Sequence, residues 1–196
     1  MTTEDDHKAH LLRALAAARE ALLWKLDGLS ERDVRWPVVP TGTNLLGLVK
    51  HLASVEAGYL GDVFGRPSPE HLPWFEDGAE PNADMWASPD ETRASVLELW
   101  ERVRAHSEQT VAELPLDAPG VVPWWAPDKR DVTLHQVLVH LLAEASRHAG
   151  HADVVRELLD GQAGMRRGGS NLPEEDEAWW RDYRVRLEQA AEAAQG

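Results

Sequence analysis

The sequence predicts an all-α protein: a four-helix bundle with long irregular connections and an extra C-terminal helix. Four long segments repeat apolar residues every three to four positions, the period of a helix with one buried face. No segment shows the sustained alternation of a convincing strand. Proline- and glycine-rich stretches of about 15, 23 and 18 residues separate the four segments, and one more helical segment follows. A chain of 196 residues with 43% hydrophobic residues suits one domain with a sizeable core.

Residues 4–27 form the first helix. Leu11, Leu12, Leu15, Ala18, Leu22, Leu26 and Leu29 make its inner stripe, Gly28 ends it, and His7 and His10 fall near its solvated start. Ser30 caps a short turn toward Asp33. Trp36-Pro37-Val38-Val39-Pro40 is extended, because proline disfavours helix at and before its own position. The second helix runs from about Asn44 to Phe64, with Thr43 the better cap and His51 between Leu48 and Val55 on the apolar side.

Residues 65–87 are irregular and carry Trp74, Phe75 and Trp86; such a loop either covers a site or is pinned to the surface by its aromatics. His71 lies in it with no spacing that marks a ligand. Ser88-Pro89-Asp90-Glu91 reads as the start of a third helix reaching about Leu114, with Val96, Leu99, Trp100, Val103 and Val111 inside and His106 on the solvated side. Residues 115–130 are again irregular, and their tandem Trp124-Trp125 should cover a core edge or line a pocket. The fourth helix spans Thr133 to Gly161, opened by a Thr133–Gln136 capping box and closed by a left-handed glycine. A glycine-rich linker with Arg166 and Arg167 leads to a last helix, about Pro173 to Ala194, carrying Trp179, Trp180, Tyr183 and Leu187. The chain divides into residues 1–164, the bundle, and 165–196, a linker and helix packed on the bundle or on a partner chain.

Composition excludes several classes. A net charge of −14 argues against a nucleic-acid groove, which needs a concentrated basic surface. No apolar run approaches the roughly 20 residues of a membrane span. The polar N-terminus does not resemble a signal peptide, so the expected location is cytoplasmic. There is no cysteine, so a metal must sit on histidine and carboxylate, and any reacting thiol must arrive on another molecule.

The fourth helix carries the chemistry. At 100° per residue, Val137, His140, Leu141, Glu144, His148, His151 and Val155 project within roughly 60° of Glu144. Three inward histidines and a carboxylate are costly as mere filling. Two readings stand: core histidines bonded to backbone or water, or a metal site, since imidazole and carboxylate at i and i+4 reach one ion. Helix geometry alone allows either Glu144 with His148 or His148 with His151, in each case with His51 from across the bundle.

GTNLLGLVKHLASVE around His51 and HLLAEASRHAGHADVVRELLDG in the fourth helix together resemble the DinB-like bundle superfamily, in its mycothiol-transferase-like branch, over roughly residues 5–164. The resemblance implies one metal ligand from the second helix and two from the last bundle helix. These correspond to His51, Glu144 and His148, a set similar to that of mycothiol-dependent maleylpyruvate isomerase. His151 stands where the wider superfamily has glutamine, and so belongs either beside the ligands or in competition with Glu144. Charge favours Glu144: one carboxylate leaves a divalent site at +1 rather than +2 in a poorly solvated core. Nitrogen and oxygen donors accept zinc, the preferred ion, or nickel, iron or manganese. Arg147 lies at the site edge, facing either an anionic substrate or a surface carboxylate.

The expected function is metal-dependent activation of a small exogenous thiol, mycothiol-like, for S-transfer or isomerisation of an electrophile. The alternatives are a metal-dependent hydrolase using activated water and a non-catalytic metal- or small-molecule-binding stress protein. The aromatic last helix points to a homodimer, with packing on its own bundle as the alternative.

Overall fold

A computed structural model describes residues 3–194; the ends of the two expected units, residues 1–2 and 195–196, lie outside the described residues. The helices are α1 (Glu4–Leu23), α2 (Glu31–Arg35), α3 (Leu45–Leu60), α4 (Arg93–Glu113), α5 (Leu134–Asp160) and α6 (Glu177–Ala193). The bundle is α1, α3, α4 and α5. α3 packs on α4 and α5, and α1 packs on α5. The four share one core, to which they contribute, among others, Leu22, Leu52, Trp100 and Leu138. None of the helices is long and apolar enough to cross a membrane, among the described residues.

Several boundaries differ from the sequence reading, each for a local reason. α1 stops at Leu23, and Trp24–Leu26 continues as a 3-10 turn. There the buried Lys25 ammonium donates to the Ala21 and Gly164 carbonyls at 2.9 and 2.6 Å and pairs with Asp153 at 3.0 Å. α3 is capped by Asn44, not Thr43: Asn44 Oδ1 accepts from Gly47 N at 2.8 Å while Nδ2 donates to the Gly42 and Met85 carbonyls. A carboxamide has the acceptor and the two donors this needs. α3 also ends early, at Leu60, and Asp62–Phe64 is a 3-10 turn.

α4 begins at Arg93 with Thr92 as cap, rather than at Ser88. Ser88 and Glu91 do make the expected pair, since the Glu91 carboxylate accepts from Ser88 N at 2.7 Å. A helix continuing from there would need the Glu91 carbonyl for the amide four residues on. Arg35 donates to that carbonyl, the Ser95 amide goes to Thr92 Oγ1 at 3.0 Å, and the Glu91 amide closes on the Ser88 carbonyl three residues back, so residues 88–91 form a turn.

Residues 115–130, with no strand expected, contain β1 (Pro119–Val121), which forms a small antiparallel hairpin with β2 (Asp131–Thr133), Gly120 opposite Val132. Strands of three residues are too short to show alternation. α5 begins and ends as the sequence predicts, with a Thr133–Gln136 capping box and Gly161 at φ 77°. α6 has no buried residue, so its rings are not held by packing into the bundle. They cover one another: Trp179 stacks on Tyr183 at 5.0 Å and meets Trp180 edge-on at 4.9 Å.

Inside the bundle, Arg19 of α1 holds Glu56 of α3 through two hydrogen bonds of 3.0 and 2.6 Å, both side chains buried. Burial pushes the Glu56 carboxyl above its usual range against the pull of Arg19. Breaking such a pair leaves one charge uncompensated in the core. Arg19→Met should therefore lower the unfolding free energy by about 3–5 kcal/mol in urea titrations, and Arg19→Met with Glu56→Leu should recover most of it.

Candidate metal centre

α3 and α5 face each other, and each contributes to one cluster. The donor atoms of His51, Glu144 and His148 all lie within 4.8 Å of one another, the one such His/Asp/Glu group of three among the described residues. Glu144 Oε2 and His148 Nε2, one turn apart on α5, are separated by 3.2 Å. The His51 and His148 rings sit edge to face, with centroids 4.8 Å apart. His148 is buried, and its Nδ1 has no hydrogen-bond partner. Burial, reinforced by the neighbouring His51 and opposed by Glu144, pushes the His148 imidazole down to about 4. A neutral imidazole with a free lone pair is what a metal ligand requires.

The other predicted residues separate around this cluster. His151 is exposed, its ring centroid 5.5 Å from that of His148. Arg147 is exposed beside it, and its charge adds to the depression of His148. His140, on the same stripe of α5, does not join: its ring packs against Tyr59 at 4.6 Å and Trp125 at 5.3 Å. His106 is not on a solvated face either, since its Nε2 lies 2.8 Å from the Arg66 carbonyl oxygen. His71 is exposed, with Glu76 its near neighbour at 3.6 Å.

One residue of the site was missed by sequence reasoning. Asp84, in the 65–87 loop, meets His51 Nδ1 through Oδ2 at 2.5 Å. That bond holds the Asp84 carboxyl below its usual range. It also occupies one ring nitrogen, leaving Nε2 of His51 as the donor, and a carboxylate in this place fixes tautomer and ring orientation. The loop reaches α3 closely. A Cβ on Gly47 would lie 1.8 Å from the Met85 carbonyl oxygen, so only glycine admits the loop there. A cavity of about 400 Å³ opens at this point, its wall including Thr41, Thr43, His51, Asn82 and Asp84. Position in a long loop was the only sequence signal for Asp84.

The sequence model of the mycothiol-S-transferase family matches residues 10–161, most of the 196-residue chain. The chain belongs to that family. It is thereby a member of the DinB-like superfamily, and the membership implies transferase chemistry with a small thiol. No curated protein matches significantly. The matched segment spans the positions of His51, Asp84, Glu144 and His148.

Asp84→Ala should reduce divalent-metal affinity by about 10- to 100-fold, read by competition with a chromogenic chelator, with the helical circular dichroism unchanged. Gly47→Ala should act in the same direction by displacing Met85 and with it Asp84. Unchanged affinity in Asp84→Ala would show that the His51 contact does not support metal binding.

Proposed function

We propose that this protein is a metal-dependent transferase that activates a small exogenous thiol, mycothiol or a close analogue, for S-transfer to an electrophile or for isomerisation. The supporting observation is the convergence of His51, Glu144 and His148 within 4.8 Å in a chain without cysteine. Three protein ligands suit a catalytic site, in which the substrate takes a further position. His51, Glu144 and His148 would hold a divalent ion, zinc ahead of nickel, iron or manganese, which would lower the pKa of the incoming thiol.

The chain's own residues prepare that chemistry. Asp84 holds His51 in one tautomer through Nδ1. Burial keeps His148 neutral at physiological pH. The cavity beside His51 and Asp84 offers hydroxyl and amide groups from Thr41, Thr43 and Asn82 to a polyhydroxylated thiol. Arg147 and His151 stand exposed at the edge of the cluster and contribute to binding rather than to the ligand set. The cytoplasm, where small thiols are kept reduced, is the fitting compartment.

Purified protein should consume an electrophile only when both metal and thiol are present, and His51→Ala should abolish that turnover. Turnover without thiol would instead indicate hydrolysis by activated water, and tight metal binding without any turnover would indicate a binding protein. Metal content separates the ligands: Glu144→Ala should empty the site, while His151→Ala should weaken it by about 10- to 100-fold at most.

We also infer a homodimer. On α6 Tyr183 and Leu187 are exposed and Trp179 and Trp180 only half-buried, and symmetric pairing buries such a surface. Light scattering at micromolar concentration should report twice 21.8 kDa; a single 21.8 kDa species overturns the dimer.

A further inference from the structure

A second cavity, of about 510 Å³, lies along α3 beyond the cluster. Its lining includes Val55, Gly58, Tyr59, Asp62, Phe75 and Trp124. Val55 follows His51 by four residues, so the cleft begins one helical turn, roughly 6 Å, along α3 from the donors. Two of its walls are aromatic rings left substantially in water, Phe75 at 56% and Trp124 at 51% exposure. Apolar rings facing water around a concave space mark a binding surface more than a structural one.

The cleft is also built in advance. The Trp124 indole donates to the Tyr59 hydroxyl at 3.2 Å and meets its ring edge-on at 5.1 Å. Gly58 lets that indole lie against the helix, because a Cβ there would come within 3.1 Å of it. On the other side Phe75 stands in a 3-10 turn whose Trp74 donates to Ser54 Oγ at 2.9 Å. The exposed Asp62 carboxylate lies in the lining, and the whole chain carries a net charge of −14. Anionic ligands are therefore repelled and flat apolar ones are not.

We propose that this cleft binds a flat, uncharged aromatic group, and that it is the seat of the electrophile in the thiol transfer described above. The second half rests on that reading; the first does not. Aromatic rings pack on Trp124 and Phe75 while the reacting carbon points back along α3 toward the thiol. In transfer to a chloro-substituted aromatic ring, the sulfur–carbon bond forms, the carbon–chlorine bond breaks, chloride leaves and the thiol proton passes to buffer.

Two fluorescent dyes decide the cleft, since 1-anilinonaphthalene-8-sulfonate is N-phenyl-1-naphthylamine with an added anionic group. N-phenyl-1-naphthylamine should bind the full-length protein saturably at one site, with or without metal. Phe75→Ala and Trp124→Ala should each weaken it by roughly 2- to 10-fold, the value of one aromatic contact. Phe75 is largely exposed, so its truncation leaves no core cavity, and an unchanged thermal midpoint verifies this. Leu158→Ala, which removes an apolar side chain 64% exposed elsewhere on the surface, should change nothing. The sulfonated dye should bind more weakly, and Asp62→Asn should narrow the gap. Equal binding of the neutral dye in wild type, Phe75→Ala and Trp124→Ala overturns the proposal, as does preference for the sulfonate.

With mycothiol and 1-chloro-2,4-dinitrobenzene, Trp124→Ala should raise the KM for the electrophile and leave that for the thiol unchanged. Turnover with an unaltered electrophile KM removes the electrophile from the cleft. Absence of turnover alongside intact dye binding overturns only the thiol-transfer reading.

Discussion

Lys50 is almost wholly buried, and its ammonium donates to the carbonyls of Ala83 and Trp86 and pairs with the Glu91 carboxylate, over the face of the Trp74 ring. A buried cation is costly unless its donors are satisfied. Every one of these partners belongs to residues 74–91, so the cost is offset only when that segment lies folded on α3. Its two carbonyl contacts bracket Asp84 on either side, and the residue after Lys50 is His51. The bracketing brings Asp84 to the imidazole it supports. Asn44 and Gly47 complete the attachment at Met85, one by donating to its carbonyl and the other by leaving room for it.

The same device recurs at the far end of α5. Arg156, buried, donates to the Lys25 and Asp27 carbonyls at 2.6 and 2.8 Å, while Lys25 itself holds Gly164. Loops in this molecule are fixed by cations reaching out of helices to backbone carbonyls. An acidic chain can spend its few basic residues this way because its abundant carboxylates keep the remaining surface solvated. His148 is the complementary case: a group kept uncharged by burial, in a place where a charged one would have no purpose.

Much of the fold was legible because it depends on periodicity and caps. α5 was readable to the residue at both ends, since a capping box and a left-handed glycine are local signals. His51, Glu144 and His148 were legible as convergent residues on two apolar helix faces, and they do converge. His140 was misplaced for an instructive reason. A helical projection gives a side chain's direction but not what meets it, and Tyr59 and Trp125 arrive from other segments. The starts of α3 and α4 were missed because tertiary partners select among neighbouring caps: Asn44 also donates to the Met85 carbonyl, and Arg35 holds the Glu91 carbonyl just ahead of Thr92. Asp84 had no spacing to betray it, because its register is set by Lys50 and Gly47 across the loop.

The attachment of the 65–87 loop is uneven along its length. Residues 83–87 are fixed by Lys50, Asn44 and Arg35, all donating to backbone carbonyls, and by the room Gly47 leaves, whereas Phe75 is turned to solvent. Trp74 is anchored too, on Ser54 and under Lys50, so substitution or insertion between residues 75 and 82 can reshape the aromatic wall while the Asp84–His51 contact stays in place. Descendants of one ancestor can diverge in what they accept without re-evolving the donor cluster. The loop works as an interchangeable cassette on a fixed hinge-pin, and diversification in such a lineage is expected to accumulate between Trp74 and Asn82.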